Sequence, residues 1–181
     1  MFEKIIHLCL RKKVSKFEAL ALAGDAKAMY ELSNLYMNHS LGFTPSESIS
    51  SRFRDNYYGN DFLGVCHALN QASAEKGYPP AMADEGWYHV CGWRHPADLD
   101  VAFKYLTQAD KAGVFKAKEY LYECYRYGWG TQKDYLKARE YLKAAAKKSR
   151  FLKKALKAFT EEIMLTEDGE EHLKGLRDFY N

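Results

Sequence analysis

The sequence repeats itself with a period of 36 residues, and this period constrains the fold more than any other feature. A fixed period of about 20 to 50 residues is typical of solenoids, in which each helix pair buries its apolar face only against neighbouring pairs. The matched positions in the two clearest copies are Gly77 with Gly113, Ala81 with Ala117, Gly92 with Gly128, Asp98 with Asp134, Ala102 with Ala138, Tyr105 with Tyr141 and Leu106 with Leu142. We therefore predict an all-α chain of stacked helix pairs.

The later of these two copies, residues 117–145, carries a specific pattern. It has Ala-x-x-x-Leu-x-x-x-Tyr-x-x-Gly-x-Gly, followed after a short gap by Asp-Tyr-x-Lys-Ala-x-x-Tyr-x-x-x-Ala-Ala. The residues that carry it are Ala117, Leu121, Tyr125, Gly128, Gly130, Asp134, Tyr135, Lys137, Ala138, Tyr141, Ala144 and Ala145. This pattern resembles the Sel-one-like repeat, a relative of the tetratricopeptide repeat. The earlier copy departs from it at Glu85, where the family has Leu, and at Arg94, where it has the second Gly.

The resemblance covers roughly residues 17–154 and implies a right-handed α–α superhelical solenoid with capping helices at both ends. An interrupted copy begins with Ala28, Leu32 and Tyr36, and the 53 residues from Gly24 to Gly77 exceed the period by 17. We predict one domain over residues 1–181. Its parts are N-terminal capping helices in 1–24, a first repeat in 25–77 with an inserted loop at about 39–61, a second repeat in 78–113, a third in 114–149, and C-terminal capping helices in 150–181.

Two features mark the ends of the chain. The first helix is predicted to stop before Ser15, where a second helix starts with Glu18 in capping-box spacing, and the last helix is predicted at about residues 169–180. The apolar stripe of residues 2–10 favours a capping helix, with contact to a membrane surface through Arg11, Lys12 and Lys13 as the alternative. This stripe is too short to span a bilayer.

Charge and cysteine content narrow the function classes. A net charge of +3 and a pI near 8.5 do not favour nucleic acid as the partner. The four cysteines have irregular spacing, and they lack the paired positions at which some secreted members of the resembled family form disulfides. Reduced thiols and a cytoplasmic location are the favoured interpretation.

A binding surface is better supported than catalysis. In tetratricopeptide-like stacks the first helix of each pair lines the concave face, and side chains that the core leaves free project into it. The candidate partner-binding residues are Tyr30, Asn34, Asp84, Trp87, Glu123, Arg126 and Tyr127, with Tyr57 and Tyr58 at the tip of the inserted loop. Trp, Tyr and Arg dominate interface hot spots. Trp93 and Trp129 share one repeat position, where a wedge between repeats and a binding role are both open.

The sequence evidence for metal binding or catalysis is weaker than that for a binding surface. His89 and Cys91 lie two apart on a helix and point in different directions, so even with His95 nearby no metal site is expected. Ser73 and Lys76 match the Ser-x-x-Lys of serine penicillin-recognising enzymes, but no Lys-Thr-Gly accompanies them. No catalytic residue and no cofactor are expected. Glu85 in a Leu position is open to two interpretations, a functional residue or repeat degeneracy.

These observations predict a non-enzymatic module that binds a protein or peptide in a concave groove. The resemblance implies adaptors that assemble signalling or membrane-associated complexes, and a cytoplasmic immunity protein that neutralises a toxin is a further form of the hypothesis. The alternative is a hydrolase with the β-lactamase-like activity associated with some secreted relatives.

Overall fold

The computed structural model describes residues 2–38, 42–53, 62–147 and 150–164. This part of the chain contains nine helices and no strand, which confirms the all-α prediction. The helices are α1 (Phe2–Leu22), α2 (Ala26–Met37), α3 (Glu47–Arg52), α4 (Phe62–Glu75), α5 (Pro79–Cys91), α6 (Leu99–Lys111), α7 (Phe115–Tyr127), α8 (Tyr135–Ala146) and α9 (Arg150–Met164). They fall into two compact units, residues 1–97 and 98–181.

In the first unit α1 packs on α2, α2 on α4, and α4 on α5. Leu32, Leu69 and Tyr36 are fully buried in its core. The Tyr36 hydroxyl donates to Glu18 Oε1 at 2.6 Å, and the same oxygen accepts from the Ser46 backbone N–H at 3.0 Å. Burial, reinforced by the Glu18 carboxylate, raises the pKa of Tyr36 above its ordinary value. Glu18 thus ties α1 to α2 and to the segment that follows it.

The predicted helix start at Ser15 is wrong, because α1 runs without a break through this position. Val14 and Ala21 are buried and Phe17 packs against the core, so one apolar stripe continues across Ser15. Glu18 therefore serves tertiary contacts rather than a capping box. Among the described residues, no helix combines the length and apolar character needed to cross a membrane.

The described part of the predicted insertion, residues 42–53, packs into the first unit instead of only projecting from it. It forms α3, whose first turn is capped by the Ser46 side chain accepting from Ile49 N–H at 3.4 Å. Ile49 and Phe53 join the hydrophobic core. The predicted contact residues Tyr57 and Tyr58 lie outside the described residues, as does the predicted helix at 169–180.

In the second unit α6, α7, α8 and α9 pack in succession. Leu106 and Leu121 are buried between α6 and α7, while Leu142 and Phe159 are buried between α8 and α9. The repeated aspartates cap the second helix of each pair: Asp98 accepts from Val101 N–H at 3.0 Å, and Asp134 from Lys137 N–H at 2.9 Å. Each cap of this kind stabilises a helix by about 1 kcal/mol, which explains why aspartate recurs with the period.

Gly130 illustrates a close approach that only glycine permits. Its φ is 65°, and a Cβ at this position would overlap the Leu99 carbonyl oxygen and lie 2.8 Å from Phe103 Cβ. Gly113 also has positive φ, 85°, but a Cβ there would meet nothing within 4 Å. The two glycines therefore share a backbone conformation and differ in the space around them.

We expect Gly130→Ala to lower the free energy of unfolding by about 2–4 kcal/mol, because overpacking adds to the cost of a left-handed backbone. Gly113→Ala is the matched control and should cost only about 1 kcal/mol. Urea unfolding of the intact chain followed by circular dichroism measures both. Equal losses in the two variants would contradict the close approach at Gly130.

Candidate functional site

A cation–aromatic surface, here called the Tyr127 platform, is formed by Arg126 and Tyr127 at the C-terminal end of α7 and by Trp129 just after it. Tyr127 is 44% exposed. Its ring lies 5.0 Å from the Trp129 ring, with an interplanar angle of 30°. The Arg126 guanidinium carbon lies 5.0 Å from the centroid of the Tyr127 ring. Gly128, in the left-handed conformation, ends α7 and turns the chain so that Trp129 lies beside Tyr127.

Arg126 does not project freely, which corrects its prediction as a free groove residue. It donates from Nη1 to Tyr122 Oη at 2.7 Å and from Nη2 to Glu162 Oε2 at 2.6 Å. Its guanidinium also lies 5.1 Å from the Phe159 ring centroid. Arg126 therefore joins α7 to α9 and supports the Tyr127 ring from one side.

Glu123, another predicted contact residue on α7, is half-buried. Burial raises the pKa of its carboxyl group, and the nearby positive charge of Arg126 partly opposes this. Glu123 lies one helical turn from Tyr127, so it borders the platform.

Both turn tryptophans act as packing wedges. Trp129 is half-buried against the cluster of Leu106, Leu121 and Cys124. In the first unit the Trp93 ring lies 4.4 Å from the Tyr88 ring and meets the His67 ring edge-on at 5.4 Å. Trp129 differs in that it also contacts an exposed aromatic ring, that of Tyr127.

The predicted residues of the first unit are divided between surface and interior. Asn34 is exposed, and Trp87 is half-buried. Tyr30 donates to Asp84 Oδ2 at 3.2 Å, and its ring lies 5.4 Å from the Tyr78 ring. Asp84 is only 8% exposed, so the prediction that it projects freely is wrong. The reason is that the Tyr30 hydroxyl and the Asp84 carboxylate pair with one another between α2 and α5.

An open pocket of about 360 Å³ lies between α6, α7 and α8 and was not predicted. Asp110 at its edge forms an ion pair with Lys118 and accepts from Tyr141 Oη at 3.2 Å. The rings of Tyr125 and Tyr141 stack with centroids 5.6 Å apart. The sequence offered little signal for this pocket, since the lysines of α7 and α8 look like ordinary solvated charges. Its lining residues are Asp110, Lys118, Tyr125, Lys137, Glu140, Tyr141 and Ala144.

A buried polar cluster surrounds Glu85, whose carboxylate is 1% exposed. Glu85 Oε2 accepts from Asn70 Nδ2 at 2.9 Å. Its other oxygen, Oε1, lies 3.3 Å from His67 Nε2 and 3.5 Å from His95 Nε2. Glu85 is therefore partnered within the core, which favours a specific role over repeat degeneracy.

Of the residues weighed as metal ligands in the sequence, only His95 lies at the Glu85 cluster. Cys91 is exposed. The His89 ring lies against the His95 ring with centroids 3.9 Å apart and an interplanar angle of 37°, while His95 Nε2 lies 3.5 Å from Glu85 Oε1. The sequence did not predict that His67 lies beside the Glu85 carboxylate. Its signal was the combination of an acid in a Leu position with a histidine on the preceding helix.

The serine of the Ser-x-x-Lys match has a structural role in this chain. Ser73 is fully buried, and its hydroxyl donates to the Ala26 carbonyl oxygen at 2.6 Å. Lys76 is exposed at the end of the same segment. Ser73 thus joins α4 to the start of α2, and its burial opposes a role as a nucleophile.

No disulfide joins the four cysteines, all of which lie in the described part of the chain. Cys9 and Cys91 are exposed, whereas Cys66 and Cys124 are buried. Burial raises the pKa of the Cys124 thiol to about 12. Cys124 is therefore a packing residue with little thiolate character.

Two solved structures share this architecture. A Sel1 repeat protein from Oxalobacter formigenes matches with a TM-score of 0.59 and 27% sequence identity, covering 80% of this chain and 96% of that protein. A protective antigen of uropathogenic Escherichia coli strains, which displays an SLR fold, matches with a TM-score of 0.55 and 18% identity. That match covers 92% of this chain and 40% of the antigen, and it bears on the fold alone.

The chain is accordingly an all-α protein of the helical-repeat class. The structural matches confirm its resemblance to the Sel-one-like repeat family, the Sel1 repeat of the matched structure. No family model and no curated protein matches the sequence. The fold is generally a scaffold for protein–protein interaction and is typically non-enzymatic.

We expect the stability of the chain to fall as pH rises from about 10 to about 12, in part because of Tyr141. Burial, with the negative charge of Asp110 and the hydrogen bond to it, raises the pKa of Tyr141 to about 12. A tyrosine free of these effects titrates near 10. The folded state therefore holds this proton more tightly than the unfolded state, so its stabilisation is complete below about pH 10 and is lost as pH rises through the folded pKa.

Tyr141→Phe removes this titration and should flatten the decline, as measured by urea unfolding at a series of pH values. Tyr127→Phe, which removes a hydroxyl from an exposed ring, is the matched control for loss of one phenol. If Tyr141→Phe and the wild type lose stability in parallel over this range, the role assigned to Tyr141 is wrong.

Proposed function

We propose that this chain is a non-enzymatic module that binds a protein or peptide partner, and that the Tyr127 platform is the centre of the contact surface in its second unit. The observation that carries the proposal is the exposed Tyr127 ring, which lies 5.0 Å from the Arg126 guanidinium carbon and 5.0 Å from the Trp129 ring. Tyrosine, tryptophan and arginine are the residues that dominate interface hot spots, since they bury a large area and keep a polar group available.

The platform is held in place before any partner arrives. Arg126 is anchored to Tyr122 and Glu162, and Trp129 is anchored in the core of the second unit. A surface that needs little ordering on binding loses less conformational entropy and so gains affinity. This property suits an adaptor, and it suits equally a cytoplasmic immunity protein that neutralises a toxin, which must hold its partner tightly.

Asn34 and Trp87 are the residues of the first unit that we assign to the same function. Asn34 is exposed on α2, and Trp87 is half-buried on α5. The hydrogen bond between Tyr30 and Asp84 joins α2 to α5, the two helices that carry Asn34 and Trp87. The burial of Ser73 gives no support to the hydrolase alternative.

The test compares partner capture by the wild type, Tyr127→Ala and Phe151→Ala. Phe151 is the matched control, because it is an aromatic residue of the same unit that is 77% exposed but lies on α9 outside the platform. Each protein is used as bait in the native lysate, and the captured protein is then purified and its affinity measured by isothermal titration calorimetry.

We expect Tyr127→Ala to weaken binding by about 2 kcal/mol or more, which is roughly 30-fold in Kd, because loss of a hot-spot ring has this cost. Phe151→Ala should bind like the wild type. Circular dichroism establishes that both variants are folded. A partner that binds Tyr127→Ala as tightly as the wild type would refute the platform as the contact surface.

A further inference from the structure

We propose that His67, Glu85 and His95 form a binding site for one divalent transition-metal ion such as Zn²⁺. His67 lies on α4, Glu85 on α5, and His95 in the turn that follows α5. One ligand atom from each lies within 4.8 Å of the others. Two imidazoles and a carboxylate are a ligand set that proteins use for zinc and for related ions.

The distances fit a shared ion better than direct hydrogen bonds. Glu85 Oε1 lies 3.3 Å from His67 Nε2 and 3.5 Å from His95 Nε2. A charge-assisted hydrogen bond between an imidazolium and a carboxylate is about 2.7–2.9 Å long, and the Arg126–Glu162 pair of this chain is 2.6 Å. Ligand atoms about 2.0–2.1 Å from a tetrahedral zinc lie about 3.3–3.4 Å from each other.

The position of the hydrogen on the His95 ring also supports a metal ion at this site. Its Nδ1 lies 3.0 Å from the Pro96 carbonyl oxygen, which only accepts, so Nδ1 carries the hydrogen. In the neutral ring the lone pair is then on Nε2, the atom that faces Glu85. This Nε2 is buried and makes no hydrogen bond to the part of the chain that the structure describes. A lone pair that faces a carboxylate oxygen is stabilised by a proton or a metal ion held between the two atoms, and a metal-bound histidine typically donates its other N–H to a backbone carbonyl in this way.

Glu85 is also oriented from outside the proposed coordination sphere. Asn70 Nδ2 donates to Glu85 Oε2 at 2.9 Å, which leaves Oε1 directed toward both histidines. Second-shell bonds of this kind hold a ligand in place. Asn70 is thus a positioning residue and not a ligand.

The cluster is not a general feature of the repeat. At an offset of 36 the corresponding positions hold Phe103, Leu121 and Thr131, and there Phe103 and Leu121 belong to an apolar cluster. Arg94, directly before His95, has φ 65°, the same value as its counterpart Gly130. A non-glycine residue held in this conformation is a strain that often accompanies a functional site.

An ion at this site would link α4, α5 and the turn after α5 through one residue from each. With three protein ligands a fourth position is left for water or for another donor, as in zinc sites that bind an exogenous group. The rings of Tyr88 and Trp93 pack beside His67, so the site has an aromatic wall. These contacts favour a compact site with limited access to solvent.

The test is titration of the metal-stripped full-length chain with Co²⁺, followed by displacement with Zn²⁺. The background carries Cys9→Ser and Cys91→Ser, so that the exposed thiols do not bind metal. We expect one equivalent of Co²⁺ to give visible d–d bands without the thiolate charge-transfer band. Zn²⁺ should remove these bands and raise the melting temperature, because a ligand that binds only the folded state stabilises it.

His95→Gln is the decisive variant, since the side chain of His95 is 12% exposed and its change is better tolerated than a change at His67. It should weaken Zn²⁺ binding by more than the roughly 10–100-fold that loss of a second-shell residue costs. Asn70→Ala should fall within that range, and His67→Gln should resemble His95→Gln. His89→Gln is the matched control, a neighbouring histidine outside the proposed ligand set, and should retain one equivalent.

The proposal is overturned if the wild type shows no saturable Co²⁺ or Zn²⁺ binding. It is overturned equally if His95→Gln binds the ion as the wild type does, or if binding is lost in His89→Gln alone. Circular dichroism of each variant separates loss of the site from loss of the fold.

Discussion

The structure depends on the close approach of helices at small residues that recur with the repeat. Ala28, Ala81 and Ala117 on the first helices and Ala102 and Ala138 on the second helices are all buried to within 2% of complete. An alanine at the contact lets two helix axes approach, so that the larger side chains beside it interdigitate. Leu32, Leu121 and their neighbours can bury a full side chain only because these alanines are small. Each full burial contributes about 1.5–3 kcal/mol.

This constraint explains why the fold could be predicted from the sequence and where the prediction stopped. The positions of α5 to α8 were readable because the alanines, the capping aspartates and the glycines of the turns recur together. The break placed at Ser15 was wrong because a capping-box spacing is a local signal, and a continuous apolar stripe outweighed it. Ile49 of α3 and Phe53, which follows α3, were not readable as core, since they lie in an insertion that has no counterpart in the other repeats.

The candidate sites were less predictable, for a physical reason. Whether a first-helix side chain is free depends on what stands opposite it, and the repeat pattern does not contain that information. Arg126 was expected to be free, yet Glu162 is its partner from a helix outside the recognised repeats. Asp84 was expected to be free, yet Tyr30 reaches it from another helix. Tyr127 and Asn34 are the two predicted first-helix residues that the structure places in the exposed class.

Departures from the repeat are more informative about function than agreement with it. Agreement places a residue in the shared core, where its role is packing, as for Leu121. A residue that departs from the repeat must be stabilised by interactions that the other repeats lack. A buried carboxylate needs such interactions most, because burying it without a partner costs a large amount of free energy. Glu85 is stabilised by Asn70 and two histidines. One of them, His67, stands where the next repeat has Phe103. The three positions together hold metal-ligand residue types where the next repeat holds Phe, Leu and Thr, and such a joint difference is harder to attribute to drift at one site than a single substitution would be. The Tyr127 platform also includes departures, since Arg126 and Tyr127 stand where Val90 and Cys91 are found one period earlier, whereas Trp129 matches Trp93.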